Sequence, residues 1–149
     1  MDETTSPRPK TPWHVWVVGV VSLLWNAVGA FDFLMTQMRN ADYLKALTAE
    51  QKEYIFGFPL WIVIIWGVAT WGSVLGSALL LARRRLAVHL FFVSFISMLV
   101  TMVYNYVLTD GQRIMGGGAG ALIFSTVIGV ISLALLIYSR AIARRGLLR

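Results

Sequence analysis

Four long apolar runs divide the chain, separated by polar stretches of very unequal length. Each run reaches the roughly 20 residues needed to cross the oil of a bilayer, and none shows the strict alternation of a half-buried strand. The runs predict helices at about 13–38, 58–82, 86–108 and 119–139. The fold expected is an all-α membrane protein: an antiparallel four-transmembrane-helix bundle with a short interfacial helix between helices one and two.

Helix one (WHVWVVGVVSLLWNAVGAFDFLMTQM) organises the rest. At 1.5 Å per residue it is roughly 38 Å long, enough to cross with some tilt. Trp13, His14 and Trp16 sit where an interfacial aromatic belt belongs. On a 3.6-residue period, Ser22, Asn26, Gly29, Asp32/Phe33 and Thr36 fall near one face. Small and polar residues face neighbouring helices, because lipid offers them nothing. That stripe is the expected buried side.

The first 12 residues are polar and hold three of the four prolines, which predicts a disordered tail. The first apolar run is too long for a signal-peptide core and no small-x-small cleavage site follows, so it is expected to stay in the mature protein. Between helices one and two, Thr48-Ala-Glu-Gln51 matches a capping box, the Thr48 hydroxyl capping and Gln51 reaching back. It predicts a short helix on the membrane surface, with Tyr54, Ile55, Phe56 and Phe58 dipping into the interface. Helix two opens at Pro59, where a proline costs no hydrogen bond. Its Gly72-x-x-x-Gly76 spacing permits close helix approach, most simply within the chain. Arg83-Arg84-Arg85 is a tight turn, making helices two and three a hairpin. Thr109–Gly118 holds four glycines and reads as a flexible loop; it lacks the Lys-Ser/Thr ending of a phosphate loop. The basic tail 141–149 is expected along the membrane surface.

Composition adds class and orientation. The chain is 58% hydrophobic and only 13% charged, too little charge to clothe a soluble domain. There is no cysteine, which removes disulfides and thiolate chemistry. The net charge of +6 comes from basic residues beside apolar runs, so lipid head groups and topology account for it, and no nucleic-acid partner is expected. Nine of the 13 lysines and arginines lie in the two tails and the Arg83 turn. By the positive-inside rule both termini are cytoplasmic.

Asp32 is the one acid within an apolar run. It lies about six residues past the middle of helix one, roughly 9 Å outward of the midplane. An ionisable group at that depth faces a cavity or a partner. It must be protonated, hydrated, or reached by Arg39 or Arg113 from the loops, and a protonated acid would suit proton coupling. The expected substrate pocket opens outward and gathers Asp32, Asn26, Thr36, Trp61, Tyr104 and Asn105. The competing reading makes Asp32 a helix lock bonded to Tyr104 or to backbone. His14 and His89 both fall near the cytoplasmic side, where such a pair can hold a haem. Nothing else matches a cytochrome, and snorkelling to the interface accounts for both, so no cofactor is expected. No nucleophile–base pair, metal cluster or paired carboxylates are found, and no enzyme is expected.

The segments WNAVGAFDFLMTQ, then YL, then FPLWIVIIWGVATWGSVLGSALLL before an arginine turn resemble a family of small four-helix proteins of proteobacteria, sometimes labelled "sugar transporter". The likeness runs from Trp25 to Asp110 and implies a multi-pass protein of the bacterial inner membrane. The chain lacks the Pro-Gln motif of three-helix sugar half-transporters. It departs from small multidrug transporters in the position of its acid and in its longer first loop. Two functions are expected from these features. One is a small carrier or permease built on the Asp32 pocket. The other is a non-catalytic accessory subunit. Its partners are the lipid bilayer and either further copies of the chain or a larger membrane complex, since a chain this short has little room for alternating access alone.

Overall fold

The computed structural model describes residues 10–116 and 118–149. The expected disordered tail therefore lies, over residues 1–9, outside the described residues, as does Gly117 of the glycine loop. The fold is all-α, with four helices long and apolar enough to cross a membrane. These are α1 (Trp13–Gln37), α4 (Leu60–Leu81), α5 (Leu86–Val103, continued by a π-helical turn, Tyr104–Leu108) and α7 (Ala119–Arg144). Short helices α2 (Ala41–Leu44) and α3 (Ala49–Phe56) join α1 to α4, and α6 (Gly111–Ile114) follows the π turn. Two short helices thus stand where one was expected.

Local chemistry sets the ends. Pro12 and Pro59 occupy the N-caps of α1 and α4 with φ near −61°, where a missing N–H costs nothing. The capping box of α3 forms in full: Thr48 accepts from the Gln51 backbone, and Gln51 accepts from the Thr48 backbone. Three helices end alike. The N–H two residues past the C-cap reaches the carbonyl five residues back, in Asn40–Met35 (3.1 Å), Arg84–Leu79 (2.8 Å) and Leu147–Ile142 (3.1 Å). This reversal needs a left-handed residue just before it. Gly146 supplies one at φ 71°, but Arg39 and Arg83 supply the others at φ 53° and 54°. Two arginines therefore hold a conformation that usually falls to glycine.

Packing follows chain order: α4 lies on α5, α1 on α4, and α7 on α5. The α4–α5 hairpin is the closest pair. A side-chain carbon on Gly72 would strike the Ser94 hydroxyl, and one on Gly76 would sit 3.0 Å from the Phe91 ring. The glycine spacing thus serves packing inside the chain. On α1, Ser22 and Thr36 are buried as the stripe predicted, but Gly29 is exposed and Ala30 takes its inward place.

The main apolar core lies at the end of the bundle where α1 begins and the chain reaches Arg149. Val15, Leu80, Ala87, Phe91, Leu135, Leu136 and Ile142 close it, together with Leu147 and Leu148. These last residues correct two expectations. Helix four runs on to Arg144, because Ala141, Ile142 and Ala143 continue its apolar face and Ile142 is buried. The tail then reverses at Gly146 and re-enters the core instead of lying on the surface. Its backbone bonds to the arginine turn, Arg149 N–H to the Arg83 carbonyl and Arg85 N–H to the Arg149 carbonyl, both at 2.6 Å. At the same end the His14 Nδ1 and Tyr138 hydroxyl are 2.7 Å apart, tying α1 to α7.

Candidate functional site

The opposite end of the bundle is not closed by a core. It holds a half-open cavity of about 540 Å³, between α1, α4 and α5 and roofed by α2 and α3. Three of the expected pocket residues line it: Asp32 and Thr36 from α1 and Asn105 from the π turn. Tyr43, Tyr54, Phe58 and Trp66 supply aromatic walls, and Thr101 stands one helical turn below Asn105.

The other three expected residues are placed elsewhere. Asn26 is drawn toward the closed end, its amide donating to the Ser77 hydroxyl (3.0 Å) and the Ser73 carbonyl (3.3 Å) of α4. Trp61 and Tyr104 pack edge to face on each other, with ring centroids 5.6 Å apart, and neither lines the cavity. Phe58 packs on Tyr104 in the same manner, so this pair forms part of the wall's backing.

Asp32 is held by a residue not anticipated. The Tyr43 hydroxyl donates to Asp32 Oδ1 at 2.6 Å. This corrects the expectation of a partner in Tyr104 or in a loop arginine. Arg39 instead lies over the Phe56 ring, 4.5 Å from its centre. Arg113 pairs with Glu50 at 3.3 Å. The reason is local. Asn40 caps α2 by accepting from the Tyr43 backbone, and the left-handed turn at Arg39 sends α2 back over the end of α1. Tyr43 then lands one ring's reach from Asp32 and edge-on to Phe31. The bond pushes the Tyr43 phenol up to about 12; burial and the nearby carboxylate charge add to the rise.

A second phenol ties the roof to α5. Tyr54 of α3 donates to Asn105 Oδ1 at 2.8 Å and lies 2.6 Å from the Thr109 hydroxyl. Burial raises the Tyr54 phenol, partly offset by the bond to Thr109. Tyr54 and Phe58 therefore turn into the protein, whereas the sequence placed both in the lipid interface. The π turn makes this possible. The Asn105 amide donates to the Thr101 carbonyl at 2.8 Å, and the Thr109 hydroxyl reaches the Tyr104 carbonyl at 2.9 Å. One extra residue in a helical turn re-aims the side chains it carries, a device frequent at functional sites.

The sequence pattern missed Tyr43, Tyr54, Phe58 and Trp66 as wall residues. Eleven residues along one continuous helix would put Tyr43 on the Asp32 face but roughly 16 Å away, and only the reversal at Arg39 brings the two together. Among the described residues no cluster of three or more histidines and acids could hold a metal ion. His14 is engaged by Tyr138, and His89 is exposed. What the arrangement offers is binding: one carboxylate, aromatic faces and a few hydroxyl and amide groups in a hollow between spans. Compared with known proteins, the chain matches no family model, no curated sequence and no solved structure.

Proposed function

We propose that this is a multi-pass protein of a bacterial inner membrane, with both termini cytoplasmic, that takes a small solute into the roofed cavity as a carrier or permease. The observation that supports this reading is the position of Asp32. It lines a hollow of about 540 Å³, within the roughly 300–1,000 Å³ of small-molecule sites. A carboxylate inside a span is costly and tends to mark a solute or ion path. The arginine-rich closed end supports the cytoplasmic side for the termini, which turns the cavity outward. The segments between Trp25 and Asp110 support kinship with the small four-helix proteins of proteobacteria that they resemble. Further copies of the chain would complete the carrier, because carriers rock one repeat against another.

The absence of cysteine gives a clean test. Thr101→Cys places a single thiol in the cavity wall. A membrane-impermeant maleimide added to right-side-out vesicles should label it, and inside-out vesicles should also label it if the site alternates. Labelling from the cytoplasmic side alone would overturn the outward cavity. No labelling from either side, with a larger partner retained in stoichiometric amount from native membrane, would make the chain an accessory subunit instead.

A further inference from the structure

Resting on the reading of the cavity as a solute site, we propose that its ligand is a monocation with an apolar body, an alkyl- or aryl-ammonium. Three observations lead there. The first is charge. Among the described residues, Asp32 is the lone carboxylate of the lining, and no lysine or arginine joins it. The two arginines nearest in sequence to the site are held elsewhere, by the Phe56 ring and by Glu50. A single fixed negative charge in a partly dry hollow calls for one positive charge.

The second observation is the wall. Four rings line the space, from Tyr43, Tyr54, Phe58 and Trp66. They are braced edge to face, Phe58 on Tyr54 at 5.1 Å and Phe33 on Trp66 at 4.9 Å between centroids. A cation over aromatic faces is attracted by their negative quadrupoles, and quaternary ammonium groups are the usual occupants of such walls. Tryptophan gives the strongest such attraction.

The third is the supply of free hydrogen-bonding groups. The Asn105 amide is committed on both sides, to Tyr54 and to the Thr101 carbonyl. The Thr101 hydroxyl donates to the Ser97 carbonyl. Tyr43 spends its proton on one oxygen of Asp32. Among the described residues, the chief acceptors that remain are the second Asp32 oxygen and the Thr36 hydroxyl, beside two unused donors, the Trp66 indole N–H and the second Asn105 amide proton. A polyol would leave most of its hydroxyls unpaired there, at a cost. A substituted ammonium asks for one anionic oxygen and apolar surface, and the cavity supplies both.

The test uses the full chain in lipid nanodiscs with benzyltrimethylammonium as probe, read by calorimetry and tryptophan fluorescence. The neutral carbon isostere, neopentylbenzene, and glucose serve as comparisons. The cation should bind saturably and more tightly than either. Asp32→Asn should weaken it on the order of tenfold or more while leaving the isostere unchanged. Asparagine still offers Tyr43 an oxygen, so an unaltered melting temperature is expected. Trp66→Leu should weaken the cation severalfold more than the isostere, and it reports even if Asp32→Asn fails to fold. Equal binding of cation and isostere, indifferent to both variants, would overturn the cation while leaving a solute site. Glucose binding without the cation would do the same. No binding of any probe, together with no labelling of the Thr101→Cys thiol, would remove both readings.

Discussion

The Tyr43 hydroxyl and the Asp32 carboxylate, eleven residues apart in sequence, are joined by a 2.6 Å hydrogen bond across the mouth of the cavity. The bond closes the chain on itself just past a transmembrane helix. It holds the roof of the cavity to its wall through one atom pair. Tyr54 and Asn105 do the same on the far side at 2.8 Å. Two phenols thus latch the roof to the wall, by bonds that can be removed one at a time.

The first latch should be sensitive to alkali. Tyr43 rises from 10.0 to about 12, with the bond to Asp32 as the largest cause. Below pH 10 the phenol keeps its proton whether latched or free, and the latch is at full strength. Between pH 10 and 12 the free phenol ionises while the latched one does not, so the closed form loses its advantage as pH rises. Absorbance titration near 295 nm should show a late-titrating tyrosine that disappears in Tyr43→Phe. A titration unchanged by that substitution would contradict the bond.

The second latch depends on a glycine. A side-chain carbon at Gly111 would strike the Tyr54 hydroxyl and lie 2.6 Å from the Asn105 carbonyl oxygen. Gly111→Ala should therefore destabilise the protein by about 1–3 kcal/mol, as overpacking does. Thermal melting in detergent reads this directly. Adding Tyr54→Phe should restore part of the loss, because one of the two clashes goes with the hydroxyl. The Asn105 carbonyl is backbone and cannot retreat, so recovery should be incomplete.

These latches mark the boundary of what sequence pattern could reveal. The four spans were legible because 18 or more apolar residues in a row have few other physical outcomes. The α3 cap was legible because Thr48 and Gln51 carry the mechanism in their side chains. The place of Asp32 in the last two turns of α1 was legible by counting along the run. Its partner was not, since it depends on a reversal at Arg39, and an arginine gives no hint of a left-handed backbone. The π turn was equally hidden, and it decides whether Asn105 or Tyr104 faces the cavity. A regular helical period places both near the end of the span and cannot choose between them. The inward path of Leu147 and Leu148 was hidden by the arginines around them, although Gly146 was the available signal for a reversal.

The α4–α5 contact makes a prediction about a polar atom. Ser94 is buried, and its hydroxyl has no hydrogen-bond partner among the described residues. It faces Gly72, whose lack of a side chain leaves the room it needs. Removing an unpaired buried hydroxyl costs little, so Ser94→Ala should be neutral or stabilising by up to about 1 kcal/mol. Gly72→Ala alone should cost about 1–3 kcal/mol through overpacking. On the Ser94→Ala background the same change should be tolerated, because the next side-chain atom is at an ordinary 3.6 Å. Melting temperatures of the two single variants and the double should show this non-additivity; strict additivity would mean the helices do not meet at this pair.

Asn26 should behave as a brace between helices rather than as part of a binding site. Its amide crosses from α1 to two groups on α4 and is absent from the cavity wall. Hydrogen bonds between membrane helices contribute roughly 0.6–1.7 kcal/mol. Asn26→Leu should therefore lower stability by about 1 kcal/mol and leave benzyltrimethylammonium affinity unchanged. A loss of affinity without a loss of stability would put Asn26 back among the ligand contacts.

The closed end should be far less forgiving than the roofed end, and Leu148 shows why. It is only 2% exposed, within a cluster drawn from the start of α1, the end of α4, the start of α5 and the end of α7. Its neighbour Arg149 is bonded through backbone to both sides of the arginine turn, so the segment cannot easily shift to fill a void. A buried leucine cut to alanine loses its transfer energy and leaves a cavity, about 2–5 kcal/mol together. Leu148→Ala should fall in the lower half of that range and lower the melting temperature in detergent. Ile137→Ala on α7 gives the contrast, since Ile137 is 59% exposed and its side chain faces away from the bundle. It should change stability by less than about 0.5 kcal/mol. Equal effects from the two substitutions would mean that the tail does not pack where the structure puts it.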